Sequence, residues 1–417
     1  MRKVIIIGGG AGGMLAAGKA AECGASVVLL EKNGILGRKI RITGKGRGNI
    51  TNTADLDDFI AAFGPNGKFL YGAFSRFSNQ DLIELLERLG VPTKVERGGR
   101  VFPQSDRAAD VVSALEAWLR ELGVEIRTGI KAIELRTSNG KSEIEGVRVF
   151  GGVMAADAVV LATGGITYPR TGSTGDGYQW AAEVGHTVIP PSPSLSALEV
   201  QEPWVSQLQG LSLRNVTATL HAGGKKVSKE FGEMLFTHFG VSGPIILTLS
   251  KTYTKLEDKG NVCLSINLKP AVKREELDER LIRDFTQTRQ FKNYLPELLP
   301  KTLIPVFTQL SGIPADTPLN RITALQRRRI IELLTDFRLT INGARSADEA
   351  IVTAGGVSLK EIDPRTMESK LVRGLFFAGE VMDIDAVTGG FNLQAAFSTG
   401  WVAGENAARG KRPVSVE

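Results

Sequence analysis

Short apolar runs alternate with glycine-rich or amphipathic stretches over the first 190 residues of this 417-residue chain. Residues 4–7 and 27–30 read Val-Ile-Ile-Ile and Val-Val-Leu-Leu, which is typical of buried parallel strands. Residues 79–90 and 106–123 have the period of amphipathic helices, with Asn79 and Asp106 as their predicted N-caps. Further strands are predicted between residues 124 and 162. This alternation of strands and helices predicts an α/β class with a mostly parallel, doubly wound sheet.

The pattern changes near residue 190, after which three strands are predicted at 213–222, 224–231 and 262–268 with no long helix between them. Such a succession indicates an antiparallel β domain. Helical periodicity then dominates residues 273–338, and the last segment returns to strand, loop and helix. We therefore predict a discontinuous nucleotide-binding domain (1–190 and 345–417), a β domain (191–270 with about 338–344) and a helical domain (271–337).

Composition excludes several classes of protein. The chain has two cysteines and three histidines, so neither a disulfide framework nor a histidine-rich metal centre is expected. The scarcity of cysteine fits a reducing cytoplasm, and no metal is expected. The run Val4–Ile7 is too short for a signal or membrane segment, so we expect no membrane association. The net charge of +6 permits an anionic partner such as RNA. The oligomeric state stays open.

The first strand leads into a glycine-rich turn with the spacing of a dinucleotide-binding site. Gly8 permits the tight turn, Gly10 lets a pyrophosphate approach the backbone, and Gly13 lets the following helix pack close to the strand. The free N–H groups at the start of that helix, around Ala11 and Gly12, face the phosphates. A second strand then ends in Glu31, whose carboxylate is placed to accept both hydroxyls of an adenosine ribose.

Two later segments have the same character of a strand that ends in small residues. One is 161–165, which contains Thr163 and Gly164. The other runs from Gly379 to Leu393, where a glycine pair precedes a helix of small residues. The N-terminus of such a helix is suited to the pyrimidine edge of a flavin, where negative charge develops on reduction. We therefore expect one elongated cofactor to contact all three segments.

A basic, glycine-rich loop spans residues 37–52 and has two interpretations. In one, its cations neutralise a pyrophosphate and its glycines let the backbone lie against the isoalloxazine ring. In the other, it is a solvated basic loop. The first interpretation is favoured by cations that lie among glycines directly after the ribose-binding acid, namely Arg38, Lys39, Lys45 and Arg47.

At this point the chain resembles a known family. The strings GRKIRITGKGRGNITN (37–52), TGDGY (174–178), EMLFTHFGVSGP (233–244) and TGGFNLQAA (388–396) are similar to those of the BaiN/RdsA (YhiN) flavoproteins, a family of NAD(P)/FAD-dependent oxidoreductases. The resemblance spans nearly the whole chain. It implies a glutathione-reductase-like Rossmann FAD domain with an inserted β-barrel-like domain and a helical subdomain.

One position departs from that family. Many relatives have cysteine where this chain has Gly48, so a thiol mechanism at this position is excluded here. The alternative is that the position needs only a small residue near the flavin.

The predicted cofactor-binding residues combine these motifs with the positions that the resemblance implies. Asp383 is also consistent with a solvated loop acid, and Ile130 with a plain strand residue. The set is Gly8, Gly10, Ala11, Gly12, Gly13, Glu31, Lys32, Arg38, Lys39, Thr43, Gly44, Lys45, Gly46, Arg47, Asn49, Ile130, Thr163, Gly164, Gly379, Glu380, Asp383, Gly390, Phe391, Asn392 and Leu393.

Three further features have a chemical and a structural interpretation each. His238 is a candidate proton donor or anion ligand, or a structural histidine at a domain junction. Asp176 is more readily a helix cap than a reacting group. The run 327–329 is more typical of a solvated helix face than of an RNA contact.

Three functions from different classes are consistent with these residues. In the first, NAD(P)H delivers electrons transiently to FAD, whose N5 passes a hydride to an activated C=C bond; the resemblance points to uridine in large-subunit rRNA, giving dihydrouridine. In the second, the protein is a flavin oxidase or reductase of a small amine or enone. In the third, FAD is structural and the surface binds RNA or protein. No second G-x-G-x-x-G follows a strand, so a dedicated NAD(P)H domain is not expected.

Overall fold

The computed structural model describes residues 1–138, 140, 142–256 and 260–410, and they form two compact units. The first unit comprises Met1–Pro193 and the chain from Ala350 onward, and the second is Ser194–Glu349. Residues 411–417, which the sequence assigns to the FAD domain, lie outside the described residues. The strands are β1 (Lys3–Ile7), β2 (Ser26–Glu31), β3 (Thr51–Asn52), β4 (Thr93–Glu96), β5 (Arg100–Pro103), β6 (Glu125–Thr128), β7 (Ala132–Thr137), β8 (Ile144–Val149), β9 (Gly152–Ala155), β10 (Ala158–Leu161), β11 (Val188–Ser194), β12 (Leu198–Val200), β13 (Ser212–Ala222), β14 (Lys225–Phe236), β15 (Gly240–Ser242), β16 (Val262–Asn267), β17 (Phe337–Ala344), β18 (Val352–Val357) and β19 (Leu375–Phe377). The α-helices are α1 (Ala11–Glu22), α2 (Arg38–Ile42), α3 (Leu56–Ala62), α4 (Tyr71–Arg76), α5 (Asn79–Arg88), α6 (Ala108–Glu121), α7 (Asp176–Glu183), α8 (Pro244–Thr254), α9 (Arg274–Asp284), α10 (Phe291–Tyr294), α11 (Ile304–Ser311), α12 (Ala324–Thr335) and α13 (Phe391–Arg409).

A five-stranded parallel sheet forms the centre of the first unit. Its strand order is β19-β10-β1-β2-β6, and every adjacent pair is parallel. β1 pairs with β10 on one side and β2 on the other, and all its residues after Lys3 are buried. Strands that are covered on both faces must be apolar throughout, which explains the continuous runs in the sequence. The predicted doubly wound, parallel sheet is confirmed.

Helices α1 and α13 run parallel to each other in very close contact. A Cβ on Gly400 would lie 2.2 Å from the carbonyl oxygen of Gly12, and one on Gly404 would lie 2.2 Å from that of Ala16. Both positions therefore require glycine. Gly12 is the second residue of α1, whereas the adjacent Gly400 is the tenth residue of α13. At 1.5 Å per residue, α13 therefore begins about 12 Å before α1 along their common direction.

Two of the predicted helix caps are wrong. Ser78, not Asn79, precedes α5, and its side chain forms a capping box with Asp81. The residue before α6 is Arg107, which makes no side-chain cap. Asp106 instead bonds to Arg47 and Lys94, because two cations compete for its carboxylate more strongly than a backbone N–H does.

The second unit contains a closed barrel with strand order β12-β15-β14-β13-β16-β17. Its strands pair antiparallel, and Leu220, Leu264 and Leu339 are opposite one another and fully buried. Apolar residues of the helical segment, such as Leu281 and Phe307, belong to the same hydrophobic cluster as the barrel. The predicted β-barrel is confirmed, and the helices of residues 274–335 share its core.

Membrane insertion through a helix has no support in the described ranges, since none of their helices combines the necessary length and apolar character.

Candidate functional site

A cleft opens at the carboxyl edge of the parallel sheet in the first unit. The residues that follow β1, β10 and β19 all line it, as expected of a ligand site in this sheet class. Its empty space is about 1280 Å³, including the open mouth. The structure brings together at this cleft the predicted residues Gly8, Gly10, Ala11, Gly12, Glu31, Lys32, Arg38, Lys39, Thr43, Ile130, Thr163, Gly164, Gly379, Glu380, Asn392 and Leu393.

The glycine-rich turn after β1 packs tightly on one side and is open on the other. A Cβ on Gly8 would lie 2.4 Å from the carbonyl oxygen of Ala162, and one on Gly13 would lie 1.8 Å from that of Gly8. Gly10 differs from both: no atom lies within 4 Å of an added Cβ, and its φ of −85° suits any residue. Neither the protein's packing nor its backbone explains glycine at this position, which points to a ligand that approaches it closely.

The N-termini of two helices open into this cleft without side-chain caps. Gly10 precedes α1 and Gly390 precedes α13, and neither helix has a capping side chain. Uncapped N–H groups carry partial positive charge and bind anionic or electron-rich groups. The offset of about 12 Å between the two helix starts suits an elongated ligand.

Asn392, at the start of α13, holds the preceding loop. Its Oδ1 accepts a hydrogen bond from the Ala386 N–H at 2.8 Å, and its Nδ2 donates to the Ala386 and Val387 carbonyls. The Asn49 amide lies 3.2 Å from the Gly390 N–H and 3.2 Å from the Thr51 carbonyl. Asn49 therefore contacts the backbone at the start of α13 and does not line the cleft.

Glu31 is buried at the end of β2, where three donors already bind it. Its Oε2 accepts from the Gly9 N–H at 2.8 Å, and its Oε1 accepts from the N–H and the amide of Asn33 at 2.8 and 2.6 Å. A carboxylate offers about four lone-pair sites, so one remains for a ligand. Asn33 would have to release a bond before Glu31 could accept both hydroxyls of a ribose.

Lys39 and Glu380 form an ion pair that joins distant parts of the chain. The Lys39 Nζ lies 2.7 Å from the Glu380 Oε2, and the Glu380 Oε1 accepts from the Thr353 N–H at 2.8 Å and the Thr167 hydroxyl at 3.1 Å. The Tyr178 hydroxyl donates to the Glu380 carbonyl at 3.2 Å. Burial, and then the Glu380 charge, raise the pKa of Tyr178, so it stays a neutral donor.

Lys32 is also paired. Its Nζ lies 2.6 Å from the Asp176 Oδ2, and Lys131 approaches the Asp176 Oδ1 at 3.3 Å. Burial opposes the charge of Asp176, but the hydrogen bonds from Lys32 and Thr174 keep its pKa below the usual value. Asp176 is the first residue of α7 and follows the N-cap position, which Gly175 occupies.

Arg38 is the exception among the cations at the cleft. Its Nη1 donates to the Asn33 Oδ1 at 2.8 Å, and it has no carboxylate partner within the described part of the chain. This leaves its charge available to an anionic ligand.

The loop after α2 is held in a left-handed conformation. Gly44, Lys45 and Gly46 have φ values of 56°, 59° and 87°. The guanidinium of Arg47 bonds to Glu96 and Asp106 and stacks 4.4 Å from the Phe102 ring. These bonds raise the pKa of Arg47. Arg47 lowers the pKa of Glu96, and Lys94 followed by Arg47 lowers that of Asp106.

Gly48 packs within the same loop. Its φ is 83°, and an added Cβ would lie 3.0 Å from the Cα of Ala108. A side chain at this position would therefore strain the backbone and crowd α6.

The remaining predicted residues lie outside the cleft lining. Gly13 packs behind the turn and Arg47 on its acidic partners, as described above. Asp383 accepts hydrogen bonds from the Asn66 amide, and Phe391 packs edge-on against Phe59. Residues of the predicted set that do not line the cleft are Gly13, Gly44, Lys45, Gly46, Arg47, Asn49, Asp383, Gly390 and Phe391.

His238 belongs to the second unit, in the turn between β14 and β15. Its ring is exposed and packs edge-on against Phe239 at 4.9 Å. Arg345 lies 4.6 Å from the other aromatic ring, that of Phe239. Nothing buries His238, so the surroundings are not those of a buried structural histidine.

Sequence reasoning missed several residues of the cleft wall. Phe63, Trp180 and Val352 line it, as do Thr171 and Ser173. Asn33, two positions after Glu31, could have been found as a polar residue at a strand end. Val352 could not, because only the tertiary fold brings β18 near the turn after β10.

The residues at the cleft fit an FAD. The open space beside Gly10, the two uncapped helix starts and the unpaired charge of Arg38 match the needs of a diphosphate joined to a planar ring system. Across the described ranges, no group of three or more His, Cys, Asp or Glu is placed to hold a metal ion.

Comparison with known proteins gives matches along the whole chain. A family model described as HI0933-like protein Rossmann domain matches residues 2–406. The 3-dehydro-bile acid delta(4,6)-reductase of Clostridium scindens is 34% identical over 98% of this chain and 99% of that protein. The ribosomal RNA dihydrouridine synthase of Escherichia coli is 32% identical over 98% of each chain, and that of Haemophilus influenzae is 31% identical over 97% and 98%.

Solved structures share the fold at low sequence identity. A flavocytochrome c3 fumarate reductase has a TM-score of 0.53 and 17% identity, over 98% of this chain and 78% of that one. The 3-ketosteroid-delta4-(5alpha)-dehydrogenase of Rhodococcus jostii has a TM-score of 0.53 and 15% identity, over 98% and 97%. The predicted flavoprotein fold, a Rossmann sheet with an inserted barrel, is confirmed.

Proposed function

Because the chain belongs to the HI0933-like family, we propose that it is an FAD-dependent oxidoreductase that adds hydrogen across an activated carbon–carbon double bond. The observation that carries the FAD assignment is the pair of uncapped helix starts on one cleft, one of them beside the unfilled space at Gly10. The names of the family relatives support the reaction class, since a dihydrouridine synthase and a bile acid delta(4,6)-reductase both denote saturation of C=C bonds.

The chain's own residues have distinct tasks in this proposal. The α1 N-terminus and Arg38 bind the pyrophosphate, and the free lone pair of Glu31 accepts a ribose hydroxyl. The Lys39–Glu380 pair joins α2 to the loop after β19, and Thr167, in the loop after β10, donates to the same Glu380 carboxylate. The α13 N-terminus stabilises negative charge at the pyrimidine edge of the ring. A bound flavin supplies the hydride chemistry itself.

We propose NAD(P)H as the electron donor, binding transiently. The described residues contain one parallel Rossmann sheet, and its glycine-rich turn is taken by the FAD in this proposal. A nicotinamide would then need to reach the same cleft from its open side. His238 is retained as a candidate proton donor to the substrate, because its imidazole is exposed.

The preferred substrate is uridine in large-subunit rRNA. Two relatives with nearly full coverage are named ribosomal RNA dihydrouridine synthases, and the net charge of +6 suits an anionic polymer. A small enone is the second candidate, since the bile acid reductase is similar to the same extent.

The test is to map dihydrouridine in rRNA from cells with and without the gene. A single position that loses the modification, and regains it when wild-type protein is restored, supports the rRNA substrate. A variant that cannot hold FAD should fail to restore it. An unchanged map, together with rapid oxidation of the reduced protein by a steroidal enone, would favour the small-molecule alternative.

A purified sample gives an independent test of the donor. Anaerobic NADPH or NADH should bleach the flavin absorbance, and the preferred nicotinamide should do so faster. A flavin that neither nucleotide reduces would contradict this part of the proposal.

A further inference from the structure

The barrel of the second unit has an outer sheet face that its hydrophobic core does not use. Register partners on antiparallel strands project to the same side of a sheet. Leu220, Leu264 and Leu339 project to the buried side. The residues one position along each strand therefore project outward.

The outward positions combine cations, hydroxyl groups and an aromatic ring. The first of two rows crosses β14, β13, β16 and β17, and the second crosses β14, β13 and β16 through the buried Thr217. The outer-face residues of these rows are Lys229, Thr219, Ser265 and Arg338 in the first, and Phe231 and Asn267 in the second.

Along β14, Lys229 and Phe231 lie on this face, and Lys226 continues it beyond a register irregularity at Val227, because Lys226 pairs with His221. Phe231 is 60% exposed although it lies within a strand, and Val227 is 39% exposed. Lys225 adjoins the face at the start of the strand, and all three lysines are exposed. Water contact with so much apolar surface is unfavourable, so a ligand that covers the Phe231 ring would gain free energy.

The lysines of this strand are available to an anion. Lys225, Lys226 and Lys229 form no ion pair within the described ranges of the chain. Arg327, in the basic run of α12, differs because Asp278 binds it at 2.7 Å. Residues 194–349 contain 21 Lys and Arg against 17 Asp and Glu, so they carry +4 of the chain's net charge of +6.

We propose that this outer face, formed by Lys226, Lys229 and Phe231 with the hydroxyl of Thr219 and the adjoining Lys225, binds single-stranded RNA. The Phe231 ring stacks on a base, the lysines contact phosphates, and the Thr219 hydroxyl bonds to the sugar or a base edge. This inference rests on the proposed function, because it names a binding surface for the RNA that the proposed function takes as substrate.

Lysines on a strand edge have a second known role. Residues 225–231 of β14 pair only with β13 among the described strands, so their other edge is open. Lysines at such an edge prevent association with a second sheet. That role needs the charges but not the exposed Phe231 ring, and the experiment separates the two.

The experiment measures the affinity of the full-length holoprotein for a fluorescent oligouridine of about 12 nucleotides. Phe231→Ala should weaken binding roughly 5- to 150-fold, the loss of one stacked base. The triple variant of Lys225, Lys226 and Lys229 to Gln should make the slope of log K against log salt less negative by about 2, at about 0.7 per lost phosphate contact.

Matched controls test for non-specific effects. Phe150→Ala removes an aromatic ring that is 97% exposed in the other unit. Gln at Lys68, Lys273 and Lys301 removes the same charge from exposed positions elsewhere. Both controls should leave affinity within twofold and the salt slope nearly unchanged.

Several results would overturn the proposal. One is an RNA affinity that Phe231→Ala does not change. Another is a control triple variant that changes the salt dependence of binding as much as the triple variant of β14 does. A third is aggregation of the β14 lysine variants while their monomeric fraction binds RNA normally. Stronger binding of the face to phosphatidylserine vesicles than to RNA would assign it to a membrane instead.

The dihydrouridine map of the same variants separates this proposal from the proposed function. If the wild-type protein modifies the rRNA but RNA affinity does not depend on Phe231, only the proposed surface is refuted. Binding that depends on Phe231, with no modification by the wild-type protein, refutes the rRNA substrate alone.

Discussion

Substitution of Gly10 by alanine tests the FAD site directly, because the protein itself leaves room for the new methyl group. No atom lies within 4 Å of the added Cβ, and the φ of −85° is normal for alanine. The fold should therefore tolerate the change, at a cost of up to about 1 kcal/mol for alanine at a helix N-cap. The predicted effect is confined to the ligand that approaches this position.

The magnitude follows from the hydrogen bonds that the methyl group would disturb. A pyrophosphate displaced from the α1 N-terminus loses at least one charge-assisted bond, which is worth about 1.5–3 kcal/mol. This corresponds to roughly a 10- to 150-fold weaker affinity for FAD. Titration of the deflavinated protein with FAD, followed by flavin fluorescence, measures it.

Gly34→Ala is the matched control. An added Cβ at Gly34 also meets no atom within 4 Å, but this residue does not line the cleft. It should bind FAD as the wild type does. If Gly10→Ala stays within twofold of the wild type, or if both variants weaken alike, FAD does not lie against the glycine-rich turn and the reasoning fails.

Three further predictions concern side chains with one clear interaction each. Glu380→Gln leaves Lys39 without its partner and should lower the free energy of unfolding, measured by urea denaturation, by about 1–2 kcal/mol. If Lys39→Met and the double variant lose as much stability as Glu380→Gln, the two residues are coupled. If the losses of the two single variants add in the double variant, the coupling is refuted. Burial depresses the pKa of His186. The wild type should therefore lose stability relative to His186→Gln as the pH falls below about 6.5, the pKa of histidine in the unfolded chain. A difference in Tm between the two proteins that is the same at pH 7.5 and pH 5.5 would contradict this. His238→Gln should lower kcat by about 10²-fold or more with little change in KM and flatten the pH profile if the imidazole donates a proton, whereas an unchanged kcat would remove it from the mechanism.

The fold was predictable where the sequence pattern is strong and local. The parallel strands and the three barrel strands follow from apolar runs of the right length. Helix caps were less predictable because long-range partners compete for the same side chain. Asp106 looks like an N-cap by position, yet Arg47 lies 59 residues away in sequence and binds its carboxylate.

The positions of the glycines at the cleft could be predicted from the sequence, but the pairing of its charged side chains could not. Gly8, Gly10 and Gly13 follow a spacing that sterics require, and the structure assigns each a separate reason. The cations of the basic loop all looked equivalent in the sequence. Only the fold shows that Lys39 meets Glu380, 341 residues away, since no local pattern records such a pairing.

These pairings change the electrostatic account of the cleft. Its lining contains four cations and three carboxylates, which leaves a side-chain charge of only +1. Each of the two helix N-termini adds about +0.5, so the total is about +2. The α1 dipole acts on the two negative charges of the pyrophosphate and the α13 dipole acts on the ring, so half of the cleft's positive charge comes from backbone dipoles that no side-chain substitution removes. The paired lysines serve mainly to fix the cleft's shape, and Arg38 with the two helix starts accounts for its attraction to the cofactor.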